Sequence, residues 1–154
     1  LGSLGWVSDK SGYRYQATHP VTGQNWPPIF PSLLKIWNDL TNNYAEPEAC
    51  LINYYSEIAK MGLHQDRDEE DFNAPVVSLS LGDTALFRIG TNERNGLTQS
   101  IKLHSGDGLI FGGPARLDFH GVDRIYKKTS TLLSEGGRFN LTMRRVTKPK
   151  IKSI

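Results

Sequence analysis

Between Cys50 and Arg145 the chain repeats one pattern: short apolar or alternating segments of three to eight residues, each closed by a glycine-bearing or polar turn. The segments are Cys50–Tyr55, Ile58–His64, Val76–Leu81, Ala85–Ile89, Ser100–His104, Leu109–Phe111, Arg116–His120 and Arg138–Arg145. Gly82-Asp83, the Asn92–Gly96 cluster, Ser105–Gly108, Gly112-Gly113-Pro114 and Gly136-Gly137 punctuate them. Such spacing leaves no room for crossover helices, so a parallel α/β sheet is excluded and the strands must pair mostly antiparallel. One helix is expected, from Pro31 to about Asn43, where Leu33, Ile36, Trp37 and Leu40 recur at helical spacing behind an N-terminal proline. Residues 1–30 read as loops and short strands. The expected fold is mainly β with a flanking helix, an antiparallel sandwich or jelly roll.

At 154 residues the chain is expected to form a single domain. With 38% hydrophobic and 22% charged residues it has enough apolar content to fold and no stretch that crosses a bilayer as a helix. The longest run without Asp, Glu, Lys or Arg, Tyr15–Leu34, carries four prolines. A lone cysteine, Cys50, reads as a small buried hydrophobe and points to a reducing, cytoplasmic setting. Leu1 is not an initiator residue, and the chain is expected to be trimmed at its N-terminus. The net charge of +2 averages two unlike stretches: Asp66–Asp71, five of six residues acidic, and Arg138–Lys152, with six basic residues and no acidic one.

Chemistry concentrates at three places. In His64-Gln65-Asp66, residues i and i+2 share a strand face, so an imidazole and a carboxylate converge on one ion while Gln65 points away. His120, at the end of another expected strand and followed by Gly121, supplies a second imidazole. Two histidines and one carboxylate form the facial set that leaves open positions on iron(II); zinc hydrolases use similar ligands, so the set alone leaves the reaction open. In Arg138–Arg144, alternation puts Arg138, Asn140, Thr142 and Arg144 on one face. On an edge strand that face meets water. In a jelly roll it turns into the barrel mouth, where a guanidinium clamps a carboxylate and Asn and Thr add hydrogen bonds.

Several longer stretches accompany these: Leu-Gly-Trp at 4–6, Ser-Gly-Tyr-Arg-Tyr at 11–15, Asn-Tyr-Tyr at 53–55, Leu-His-Gln-Asp-Arg-Asp-Glu at 63–69 and Ala-Pro-Val-Val-Ser-Leu-Ser-Leu-Gly at 74–82. His-Ser-Gly-Asp at 104–107, Ala-Arg-Leu-Asp-Phe-His-Gly at 115–121 and Arg-Phe-Asn-Leu-Thr-Met-Arg at 138–144 complete the series. With them the chain resembles the bacterial-type AlkB Fe(II)/2-oxoglutarate-dependent dioxygenases, which repair alkylated bases in DNA and RNA. The resemblance implies a double-stranded β-helix, with iron(II) held by His64, Asp66 and His120. It places 2-oxoglutarate against Arg138 and Arg144, supported by Asn53, Tyr55 and Asn140, with O2 as the further co-substrate. It assigns Trp6, Tyr13 and Tyr15 to a nucleotide-recognition lid within residues 1–30, and sets Asp68 and Arg94 near the base and its flanking phosphates. Two residues depart from the family pattern, Tyr54 in place of Arg and Phe111 in place of Trp, and these bear on substrate preference.

The implied activity is oxidative demethylation of N-alkylated bases such as 1-methyladenine and 3-methylcytosine in DNA, extending to RNA, by a monomer. Alternatives are a 2-oxoglutarate-dependent hydroxylase or demethylase acting on tRNA or protein, a zinc hydrolase, and a nucleic-acid-binding module without catalysis. Stacking a base on an aromatic ring contributes about 1–3 kcal/mol, which suits Trp and Tyr in a glycine-rich lid; plain packing on the sheet is the competing role. Asp68 shares the His64 and Asp66 face and can accept from an exocyclic base nitrogen. Arg67, Glu69, Glu70 and Asp71 read as a solvated loop, His104 as structural, and Arg145 with the C-terminal lysines as free for nucleic acid or solvent.

Overall fold

Period-two alternation decides where each strand buries its side chains. In Val76–Gly82, Val76 and Ser78 point to one side while Val77 and Leu79 point to the other, and the two sides end up in different cores. The computed structural model describes residues 1–149; Lys150 and Lys152 of the basic stretch lie outside the described residues. In chain order the elements are β1 (Gly5–Asp9), β2 (Gly12–Gln16), α1 (Pro31–Thr41), β3 (Ala49–Tyr55), β4 (Met61–His64) and β5 (Val76–Gly82). They continue with β6 (Thr84–Ile89), β7 (Gln99–Leu103), β8 (Gly108–Phe111), β9 (His120–Tyr126) and β10 (Arg138–Arg144).

Two four-stranded antiparallel sheets, in orders β3-β10-β5-β8 and β4-β9-β6-β7, carry the fold, and β1-β2 forms a separate hairpin. Tyr55, Val76 and Phe111 of the first sheet and Ala85, Phe87, Leu103, Val122 and Ile125 of the second share one core, as in a jelly roll. On the outer face of the first sheet α1 buries Leu33 and Trp37 against Cys50, Val77, Leu141 and Met143. The helix stops at Asn42 and Asn43, both in the left-handed region, which asparagine tolerates better than most residues.

Two strand expectations need correction. Residues 116–120 are not a strand: after a 3-10 turn at Gly113–Ala115 the backbone keeps turning, with the Asp118 amide bonded to the Ala115 carbonyl, and β9 begins at His120. His120 therefore opens a strand. The strand that follows escapes pattern reading because Asp123 bulges between the Phe87↔Val122 and Leu86↔Arg124 pairs, so buried Val122 and Ile125 fall three apart. Likewise β4 starts only at Met61, since residues 56–59 form a turn closed by the Ala59 amide on the Ser56 carbonyl.

Candidate active site

His64 ends β4 and His120 opens β9, and the two residues are register partners. Their ring centroids lie 4.5 Å apart. Gly121 permits this approach, because a Cβ there would lie 2.6 Å from the Met61 carbonyl oxygen. Asp66 follows just outside the sheet, and one ligand atom from each of His64, Asp66 and His120 lies within 4.8 Å of the others. Each imidazole donates its Nδ1–H to a backbone carbonyl, His64 to Gly62 and His120 to Asp118, both at 2.9 Å. A carbonyl only accepts, so each Nδ1 carries a proton, and both Nε2 atoms are turned toward Asp66 at 3.9 and 3.6 Å.

The electrostatics of His64 and Asp66 suit ligand roles. Burial lowers the His64 pKa, against the pull of the Gly62 carbonyl, which keeps the ring neutral. Burial alone would raise the Asp66 carboxyl, but His120 and the Arg144 cation outweigh it and hold it at about 2. Two imidazole Nε2 atoms and an ionised carboxylate gathered at one point fit a facial iron(II) site. Phe111 and Phe87 stack on the His120 ring at 4.4 and 5.9 Å, which fixes its plane.

The inner face of β10 lines the cavity that holds these three residues, together with Tyr55, Ser78 and Phe111. Its two arginines have different surroundings. Arg138 is only 1% exposed and donates from Nη2 to Ser80 Oγ at 2.8 Å. Among the described residues its Nε and Nη1 meet no acceptor. Burial pushes its pKa down, with Tyr55 and Asp107 opposing. Arg144, by contrast, donates to Asp66 Oδ1 at 2.7 Å, to Glu69 Oε1 at 3.1 Å and to the Tyr15 hydroxyl at 2.9 Å. Among the described residues only its Nε is left without a partner. The two expected carboxylate contacts thus differ in their present partners: Arg144 meets two acids, and among the described residues Arg138 meets none. Asn140 reaches Ser78 Oγ at 2.7 Å and accepts from Thr142. Asn53 is the β3 partner of Asn140 in register, but it lines a neighbouring cavity with Trp6 and Trp26.

The β1-β2 hairpin lies over this end of the sheet. Trp6 stacks on Tyr13 at 5.3 Å and donates from Nε1 to Asp68 at 2.9 Å, while Tyr13 is otherwise exposed. Tyr15 donates to Glu69 Oε1 at 2.5 Å. Arg94, on the β6–β7 loop, covers the ring of Phe119 at 5.7 Å, next to His120. The acidic loop is not uniformly solvated: Glu69 is 4% and Asp71 2% exposed. Glu69 joins Arg116 and Arg144, and Asp71 accepts from the Tyr44 hydroxyl. Arg145 is not free either, since it folds back on Thr147 and Glu48.

A family model for the 2OG-Fe(II) oxygenase superfamily matches residues 1–144. An alpha-ketoglutarate-dependent dioxygenase AlkB homolog of Caulobacter vibrioides is 56% identical over 145 residues, covering 94% of this chain and 66% of its own length. The alpha-ketoglutarate-dependent dioxygenase AlkB of Escherichia coli K12 is 38% identical over 151 residues, covering 96% of this chain and 69% of that protein. The chain belongs to the AlkB-type 2OG-Fe(II) oxygenases. The solved structure titled "The structure of OsALKBH1" overlays with a TM-score of 0.78 at 39% identity, over 92% of this chain and 75% of that one. The chain spans about two thirds of the length of these two bacterial relatives.

Within this AlkB-type frame, the two departures from the family pattern fall on packing. Phe111 supports His120, and Tyr54 faces outward beside Phe139 with its hydroxyl on the Gly136 carbonyl. Sequence reasoning missed Arg116 and the burial of Glu69. A basic residue in a Gly-Pro loop and an acid among acids carry no pattern that signals a buried pair. His104 is structural as expected, with Nδ1 3.1 Å from Thr84 Oγ1.

Proposed function

We propose that the chain couples 2-oxoglutarate oxidation to demethylation of N-alkylated bases in DNA, with RNA as a related substrate. The carrying observation is Arg138, a buried guanidinium with two uncommitted nitrogens in the same cavity as His64, Asp66 and His120. A hydrolase has no use for an open cation there, whereas a dicarboxylate bound to the metal at one end needs one at the other. His64, Asp66 and His120 would hold iron(II), and Arg138, with Tyr55 and Asn140 beside it, would take the distal carboxylate. Iron(II) with 2-oxoglutarate and O2 supplies the oxidant: the co-substrate leaves as succinate and carbon dioxide, and the hydroxylated N-methyl group leaves as formaldehyde.

The chain's own residues provide orientation and dryness. Val76, Phe87, Phe111 and Val122 wall the cavity and exclude water from the reacting centre. Trp6 and Tyr13 offer a stacked aromatic pair for an extruded base, and Asp68, oriented by Trp6, presents a carboxylate to its exocyclic nitrogen. A methyl on the pairing edge weakens the base pair, so a damaged base costs less to extrude. We read residues 1–154 as one oxygenase domain with a lid from residues 1–30, acting as a cytoplasmic monomer; no helix of the described residues is long and apolar enough to cross a membrane.

The test is release of succinate and formaldehyde from single-stranded DNA containing 1-methyladenine or 3-methylcytosine, with iron(II) and 2-oxoglutarate added. Equal amounts of both products, and none from His64→Ala, are expected. Succinate release that ignores the methylated oligonucleotide would move the substrate to tRNA or protein, and full turnover by His64→Ala would remove the site.

A further inference from the structure

The candidate ligands come from two segments far apart in sequence, and the sheet joins them at one point only. His64 pairs with His120 at the end of the β4-β9 ladder, with irregular register just before it. Past that pair both chains leave the sheet, so strand pairing does not fix where Asp66 stands relative to His120. Two side chains cross the gap in opposite directions. Gln65, which precedes Asp66, donates from Nε2 to the Leu117 carbonyl at 2.6 Å. Arg116, on the approach to His120, donates from Nη1 to the Asp66 carbonyl at 2.6 Å. Its remaining donors reach the Ala74 carbonyl at 2.9 Å and Glu69 Oε2 at 3.1 Å, and its guanidinium covers Phe72 at 5.5 Å.

Each tie runs from a side chain of one segment to the main chain of the other. Together they restrict both the sliding and the opening of the two segments, which one bond could not do. Arg116 also faces the acid, Glu69, that holds Arg144 against Asp66, so the clasp and the Asp66 carboxylate belong to one buried chain of contacts. We infer that Gln65 and Arg116 are positioning residues: a crossed clasp that sets the spacing of the Asp66 carboxylate from His120 and so tunes the site for its metal. This inference rests on reading His64, Asp66 and His120 as the ligand set. Groups that orient metal ligands without touching the metal typically change affinity by about 10–100-fold when removed.

The experiment is calorimetric titration of Co(II), a redox-stable stand-in for iron(II), into the whole chain and its variants, alongside the melting midpoint of each metal-free protein. Gln65→Met keeps the length of the side chain and removes the donor. Arg116→Lys keeps the charge beside Glu69 and loses the forked reach to Asp66. Each is expected to weaken Co(II) binding by the folded protein about ten-fold or more, and the double variant by less than the product of the two, since both ties hold the same segments. A role in stability alone would lower the midpoint and leave the affinity of the folded fraction unchanged. Gln65→Met decides the matter if Arg116→Lys does not fold: a loss clearly below ten-fold overturns the clasp. Absence of Co(II) binding by the wild type, or wild-type binding by His64→Ala, would instead overturn the ligand set itself, and the clasp with it.

Discussion

Arg138 and Arg144 stand six residues apart on the same face of β10, and by pattern they are equivalent. The structure makes them opposites. At the Arg144 end, Asp66, Glu69, Tyr15 and Arg116 close a chain of buried charge that ties a candidate metal ligand to the hairpin above it. At the Arg138 end a buried cation has one serine for company and two nitrogens left over. A buried charge without a partner is costly, so a fold retains one where a ligand supplies the partner. On the proposed reading the two ends have different tasks: Arg144 braces Asp66, and Arg138 would receive the distal carboxylate.

The largest test of this contrast is stability. Arg144→Met leaves Asp66 without its guanidinium partner and Glu69 with Arg116 alone, and should cost about 3–5 kcal/mol in denaturant unfolding of the metal-free protein. Arg138→Met removes an unpaired buried cation and should leave the same protein as stable or more so. Equal losses for the two variants would erase the distinction.

A smaller effect lies in the acid limb. The Asp66 pKa is lowered from 3.8 to about 2, so its contribution is fully present above the unfolded value and is lost as pH falls through the folded one. That amounts to about 2 kcal/mol between pH 4 and pH 2. Because Arg144, after His120, is part of the cause, pH-dependent melts of Arg144→Met should lose part of this limb, while those of Arg138→Met should keep it. The smallest effect belongs to the β1-β2 hairpin. Tyr15→Phe removes a hydroxyl that bonds both Glu69 and Arg144, and should cost about 1 kcal/mol of stability. It should raise KM for the methylated oligonucleotide more than that for 2-oxoglutarate, because the Tyr15 hydroxyl bonds Glu69 and Arg144 and not Arg138.

What could be read beforehand follows from which features are local. Alternation within Arg138–Arg144, the i, i+2 spacing of His64 and Asp66, and the helical repeat after Pro31 are all visible in short windows, and each has its counterpart in the fold. The strand His120–Tyr126 was hidden by a bulge that breaks the alternation, and Arg116–His120 imitated a strand although it must turn to bury Arg116. The acidic loop looked solvated because its cations, Arg116 and Arg144, arrive from 47 and 75 residues away. Long-range charge pairing leaves no periodic trace, which is also why the two arginines of β10 could not be told apart.

The most direct measurement is calorimetric binding of 2-oxoglutarate, without O2, to the Mn(II)-loaded wild type and to Arg138→Met. Hydrogen bonds to a charged group contribute about 1.5–3 kcal/mol, so Arg138→Met should weaken binding by about 10–100-fold while Mn(II) affinity stays within about two-fold of the wild type. Unchanged 2-oxoglutarate affinity in Arg138→Met would contradict the account, because the one open cation among the described residues of the cavity would then have no part in receiving the co-substrate.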